Sequence, residues 1–246
     1  MYSRAMEDEY VIVNPGYGKP KFSRTELRDI AVSMVVLAVA FVILYRNSTM
    51  SWYLDYTLGG AAMWVALFAI CLVLVVFSFL LHEFGHKFMA QRFGMWSEYR
   101  MYPMGLALTL ITSCIGFLFA APGAVMISGS MDDRRNGKIS IAGPVVNIVL
   151  AAVGIAVTAY IGISTGGTIS VNDWQTPMFL VAMLLASLNS FLALFNLLPI
   201  PPLDGSKIFR WNKAIWAVAI VIAAVELAYL YLWMPDLSIT YIPRIL

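Results

Sequence analysis

Long apolar runs separated by short polar stretches dominate this chain. A helix needs about 20 apolar residues to span the hydrocarbon core of a bilayer. By that measure residues 29–45 (DIAVSMVVLAVAFVILY) form a first span, bounded by Arg28 and Arg46. A second begins near Leu58, carries no charge over AAMWVALFAICLVLVVFSFL, and continues as a helix to Phe93, where Gly94 stops it. Those 36 residues would make a helix of roughly 54 Å, too long for a core of about 30 Å. Its C-terminal part is therefore expected to leave the bilayer or to sit inside protein. Residues 139–163, 177–198 and about 212–233 read as three further spans.

One run does not fit the series. Residues 104–121 (MGLALTLITSCIGFLFAA) are interrupted by Gly105 and Gly116 and followed by Pro122-Gly123. The next segment, AVMISG, has the β-branched and apolar character of a strand, and SMDDRRNGK after it is a polar loop. Irregular backbone at membrane depth is tolerated only when protein shields it or it lines a cavity. The expected fold is an α-helical polytopic membrane protein with about five full transmembrane helices and a re-entrant, β-containing segment around residues 97–130.

Composition sharpens this picture. The chain of 246 residues is 61% hydrophobic and 12% charged, against about 25% charged in soluble domains. Its net charge is +2, and it lacks a basic stripe interleaved with aromatics, so nucleic acid is not an expected partner; the lipid bilayer is. The first 27 residues are polar, mixed in charge and without a signal-peptide core. The expected organisation is a cytosolic segment 1–27, one membrane-embedded domain 28–234 and a short tail 235–246. Cys71 and Cys114 lie in apolar runs and are expected to pack as small buried hydrophobes.

Orientation follows from Lys and Arg. Basic residues precede the first span (Lys19, Lys21, Arg24, Arg28), flank the second (Lys87, Arg92, Arg100), and precede the 139–163 span (Arg134, Arg135, Lys138) and the last one (Lys207, Arg210, Lys213). Loops 47–57 and 164–176 have none. All four clusters share one side, taken as cytoplasmic, only if 104–121 does not cross. This gives a multi-pass protein of the cell membrane with N-terminus inside and C-terminus outside.

The chemistry concentrates in SFLLHEFGHKFMAQR, residues 78–92, which holds both histidines of the chain. His82 and His86 are four residues apart and project from one helix face, the spacing at which two imidazoles grip one zinc ion. Glu83 points to an adjacent direction and can take a proton from metal-bound water, whose pKa zinc lowers to about 7. Three polar residues capping a helix would be the plain alternative. It does not explain why charged groups, costing about 2.5–3.5 kcal/mol on insertion scales, coincide with the only histidines.

A catalytic zinc needs a third ligand and an open position. With no third histidine, that ligand is a carboxylate or a cysteine. Asp204, in NLLPIPPLDG at the end of a span, lies on the same predicted membrane side as HEFGH; prolines stop the helix there and Gly205 frees the backbone. Glu226 is the rival, but it falls near the bilayer midplane. Asn189 and Asn196 share one helix face. An amide aimed at an oxyanion is worth a factor of about 10²–10³ in rate, whereas an interhelical hydrogen bond averages about 0.6 kcal/mol. The first role suits Asn196, beside Asp204; the second suits Asn189; Asn147 fits either.

HEFGH in one helix and NLLPIPPLDG at the end of a later one resemble the site-2 protease family of intramembrane zinc metalloproteases. Asn196 and Asp204 match the opening Asn and closing Asp-Gly of the family's second motif, and GPVVN, Gly143 to Asn147, is similar to its third element. The resemblance covers roughly residues 58–210 and lacks room for PDZ or CBS domains. It implies one Zn²⁺ per chain held by His82, His86 and Asp204, with Glu83 as catalytic base. It also implies that Asn196 and Asn147 contact the substrate backbone or the oxyanion. The expected activity is hydrolysis of peptide bonds in transmembrane or membrane-anchored protein substrates. A metal or proton transporter using the same His, Glu and Asp cluster is the alternative, against which stands the absence of an inverted repeat.

Overall fold

The computed structural model describes residues 22–120 and 122–232 and the backbone of 238–240. The described part opens with α1 (Arg24–Tyr45), capped by Ser23, whose Oγ accepts the Glu26 N–H at 3.1 Å. A short helix α2 (Thr49–Thr57) and then α3 (Gly60–Val75) follow. A π-turn (Val76–Leu80) joins α3 to α4 (Leu81–Arg92) without a break, making one 33-residue apolar helix. Gly94, at φ 72°, ends it in the left-handed conformation that glycine adopts freely.

Strand β1 (Trp96–Met101), helix α5 (Pro103–Cys114) and strand β2 (Gly123–Ser128) form the next unit. The strands pair antiparallel from Trp96↔Ser128 to Met101↔Gly123. Helix α6 (Asp133–Ser164) starts at Asp132, whose carboxylate accepts the Arg135 N–H at 2.6 Å. Strand β3 (Thr168–Ser170), helix α7 (Gln175–Asn196), the short α8 (Asp204–Trp211), α9 (Lys213–Leu232) and β4 (Ser238–Thr240) complete it, with β3 and β4 parallel.

The protein is a polytopic helical membrane protein. Among the described residues, five helices are long and apolar enough to cross a membrane: α1, the continuous α3–α4, α6, α7 and α9. Val65, Val149, Val153 and Val225 face outwards on them, as a lipid-facing surface requires. Inside, Leu37 and Phe41 of α1 pack with Leu67, Cys71 and Leu74 of α3 and with Phe179 and Leu180 of α7. A second cluster joins Ala193 and Leu197 to Ile208 of α8 and Ala219 and Ala223 of α9.

Several expectations need correction. The loop 47–57 contains α2, and residues 133–138, six of the nine in the polar loop before residue 139, belong to the start of α6. The run 104–121, as expected, does not make a membrane-length helix: it is helical only over Pro103–Cys114, about 18 Å, which is too short to cross. Cys71 is buried as expected, but Cys114 is exposed. Of the expected N-terminal segment 1–27, residues 1–21 lie outside the described residues. So does the tail 235–246, apart from β4.

Candidate metal centre

The C-terminal half of the long helix carries the site. His82 and His86, one turn apart on α4, turn inwards and are buried. Their Nε2 atoms are 3.0 Å apart. Asp204 comes from the first residue of α8, and its Oδ2 lies 3.4 Å from His82 Nε2 and 3.0 Å from His86 Nε2. Among the described residues this trio is the cluster whose ligand atoms all fall within 4.8 Å. Glu226, the rival carboxylate, is on α9; its Oε2 is buried without a hydrogen-bond partner and is not part of the cluster.

The sequence around Asp204 explains its position. Helix α7 ends at Asn196, and Pro199, Pro201 and Pro202 carry the chain across its end, with a cis peptide between the last two. A Cβ at Gly205 would overlap the Leu197 and Leu198 carbonyls, so only glycine lets α8 begin against the end of α7. Trp216 of α9 donates its Nε1–H to Leu197 O at 2.7 Å and closes the turn. Burial of Asp204 works against its charge, but the neighbouring imidazoles, when protonated, outweigh this and hold the carboxyl well below the usual carboxylate range. Its other oxygen, Oδ1, is 3.4 Å from Lys207 Nζ.

The far side of each imidazole is also fixed. His86 Nδ1 lies 2.8 Å from Ile139 O, and His82 Nδ1 lies 2.6 Å from Asn147 Oδ1. Both partners are acceptors, so each Nδ1 carries the proton and each Nε2 presents a lone pair. Two lone pairs and a carboxylate oxygen thus converge. That donor set repels itself unless a cation or proton lies between its members, and two nitrogens with one oxygen suit zinc with a position left open.

Backbone proximity makes this possible. A Cβ at Gly143 would lie 2.5 Å from His86 Nε2 and 2.6 Å from His82 Nε2; one at Gly85 would lie 2.8 Å from Ala142 O. Helices α4 and α6 therefore cross through two glycines, and Gly143 floors the site. Sequence reasoning singled out Gly143 only as part of GPVVN and Gly85 not at all, because nothing local marks a close crossing.

The remaining candidates are distributed differently. Glu83, beside the cluster, accepts the Val125 N–H of β2 at 3.1 Å through Oε2. Asn196 donates to Leu192 O at 3.0 Å in its own helix. Asn147, expected either to meet the substrate or to bond between helices, is fully buried: its oxygen faces His82, and its amide hydrogens go to Ser78 O at 2.9 Å and Asn189 Oδ1 at 2.8 Å. Its polar atoms are taken by the protein in this arrangement, with its oxygen toward His82. Asn189 bonds between helices as expected, to Ser78 Oγ at 2.9 Å.

A buried two-histidine, one-aspartate cluster inside a bundle of membrane-length helices defines a membrane protein with a metal centre. The model of Peptidase family M50 matches residues 157–230, a stretch that includes Asn196 and Asp204. Similar proteins from several organisms bear the name "Putative zinc metalloprotease". That of Methanocaldococcus jannaschii is 34% identical over 215 residues, covering 87% of this chain and 98% of its own. That of Bacillus subtilis is 31% identical over 154 residues, covering 56% and 66%. That of Mycobacterium tuberculosis is 30% identical over 171 residues, covering 60% and 62%. No solved structure matches the chain. The chain belongs to peptidase family M50, the site-2 protease family of zinc metalloproteases. Its cofactor is zinc.

Proposed function

We propose that this protein is an intramembrane endopeptidase that hydrolyses peptide bonds of transmembrane or membrane-anchored proteins. The work is done by one membrane-embedded domain, residues 28–234, with its site toward the cytoplasmic side of the cell membrane. The observation that carries the reading is the convergence of His82, His86 and Asp204 at one end of the bundle, with Glu83 alongside.

His82, His86 and Asp204 would hold one zinc ion. When bound, zinc supplies Lewis acidity, which lowers the pKa of a coordinated water to about 7. Glu83 is the base: it takes a proton from the attacking water and returns it to the departing amine nitrogen as the C–N bond breaks. The Val125 N–H on Oε2 orients that carboxylate. Asn196 remains the candidate for contact with the substrate backbone or the oxyanion.

A transmembrane substrate hides its peptide bonds in its own helix and must unwind. The Val125 N–H turns away from β1, toward Glu83, and the Tyr99 N–H opposite turns to Glu26. Val125 and Tyr99 are thus a non-hydrogen-bonded pair, so the backbone groups of Gly123 and Ile127 also face the site side of β2. An unwound segment can join that edge as an added strand. Substituting Ile127 by Pro removes one such N–H; cleavage should fall with folding intact, and unchanged cleavage would remove the strand from the reading.

The decisive experiment compares wild type and Glu83→Gln on a membrane-anchored test substrate in detergent, with bound metal quantified. Zinc should stay near one per chain in both, while Glu83→Gln lowers cleavage by about 10²–10⁴-fold and a chelator abolishes it in wild type. Cleavage by Glu83→Gln at the wild-type rate would overturn the reading.

A further inference from the structure

Behind His82 lies a buried polar chain that the proposed chemistry does not use. Ser78, Asn147 and Asn189 are each fully buried, yet they come from the π-turn before α4, from α6 and from α7. Their hydrogen bonds form a directed sequence. Asn189 Nδ2 donates to Leu185 O at 2.8 Å and to Ser78 Oγ at 2.9 Å. Its oxygen is therefore the atom turned to Asn147, whose Nδ2 donates to it at 2.8 Å and to Ser78 O at 2.9 Å. Both hydrogens of the Asn147 amide are then spent, and its oxygen is the atom left for His82 Nδ1, 2.6 Å away.

Two backbone carbonyls, Leu185 O and Ser78 O, can only accept. They set the orientation of two amides, and those amides set the proton on His82. We propose that Asn189 and Ser78 act through Asn147 as a positioning relay that holds the proton on His82 Nδ1, keeps Nε2 free, and thereby tunes zinc affinity. The inference rests on His82 being a zinc ligand. His86 reaches the same protonation through a single contact to Ile139 O, so the relay distinguishes one ligand from the other.

The π-turn has a place in this account. Leu81 N–H bonds to Val76 O, five residues back, which widens the helix where Ser78 must meet amides from two other helices. Such turns recur at functional sites. Partners beyond the ligands orient metal-binding histidines, and their loss typically weakens metal binding by about 10–100-fold. A network that merely glued helices together would change thermal stability and leave metal affinity alone.

The test measures zinc affinity of the full chain in detergent by competition with a chromophoric chelator, and the visible spectrum of the cobalt-substituted protein. Asn147→Leu should weaken zinc binding by about 10–100-fold and Asn189→Leu by about 10-fold, each with a changed cobalt spectrum. If Asn189 acts through Asn147, adding Asn189→Leu to Asn147→Leu should weaken binding no further. Zinc affinity within about twofold of wild type for Asn189→Leu, or an equal effect in both backgrounds, would overturn the relay. Should Asn189→Leu fail to fold, Ser78→Ala in the same cycle gives the decision, since alanine fits the helix. His82→Ala separates the two levels. Undiminished zinc binding there would overturn the ligand assignment and the relay together, whereas a defect there with an unaffected Asn189→Leu would overturn the relay alone.

Discussion

At the scale of single residues the site depends on an absent side chain. Both imidazole Nε2 atoms lie within 2.6 Å of where a Cβ on Gly143 would sit. Gly143→Ala must push the imidazoles out of register or part α4 from α6. We expect it to weaken zinc binding by about 10-fold or more, on the scale of lost support for metal ligands, and to lower cleavage in step; chelator competition reads the first and product formation the second. Wild-type affinity would mean that α6 moves freely. Little of this was legible in the sequence. HEFGH stood out because two histidines in an apolar chain share one helix face, and Asp204 because prolines and a glycine surround it. Gly143 gave no local signal, since its demand comes from a helix crossing. The setting of Asn147 was hidden for the same reason: its partners, Ser78 and Asn189, are 69 and 42 residues away.

At the scale of elements, the long spans followed directly from apolar run length, whereas α2, β1 and α8 did not. Each of these is short, and each is held by contacts distant in sequence. Strand β1 shows how. Its outer edge is bound by side chains: Lys87 Nζ donates to Ser97 O at 2.8 Å, and Glu26 Oε1 accepts the Tyr99 N–H at 2.9 Å. Lys87 and Glu26 also pair with each other at 2.8 Å, both fully buried. One ion pair therefore ties α1, the metal-site helix and the hairpin whose second strand meets Glu83. Removing one partner strands a buried charge, which typically costs about 3–5 kcal/mol. Lys87→Met should destabilise the protein by about that much, measured by thermal unfolding in detergent. Lys87→Met/Glu26→Leu, which leaves no unpaired charge, should recover much of it. If the double variant were as unstable as the sum of the two singles, the pair would not be the link between these elements.

Across the whole molecule, these same contacts sort the loops into two groups. Glu26 at the start of α1 meets Lys87 and Tyr99, and Arg210 of α8 meets Asp133 of α6 at 3.2 Å. The basic residues around 24–28, 87–100, 134–138 and 207–213 therefore gather at the metal-site end. The segment after α6 pairs instead with the backbone after α9, through β3 and β4. The five long helices account for this division only if α5 does not cross, and at 12 residues it is about 18 Å long. Lys and Arg near span ends are retained on the cytoplasmic side, so the metal-site end should face the cytoplasm. Reporter fusions at 134–138 should read cytoplasmic and fusions at 165–167 external. Both signals reversed would keep the fold and invert the membrane sidedness proposed for the active site. Both on one side would mean that α6 does not cross, and the five-span arrangement would fall with it.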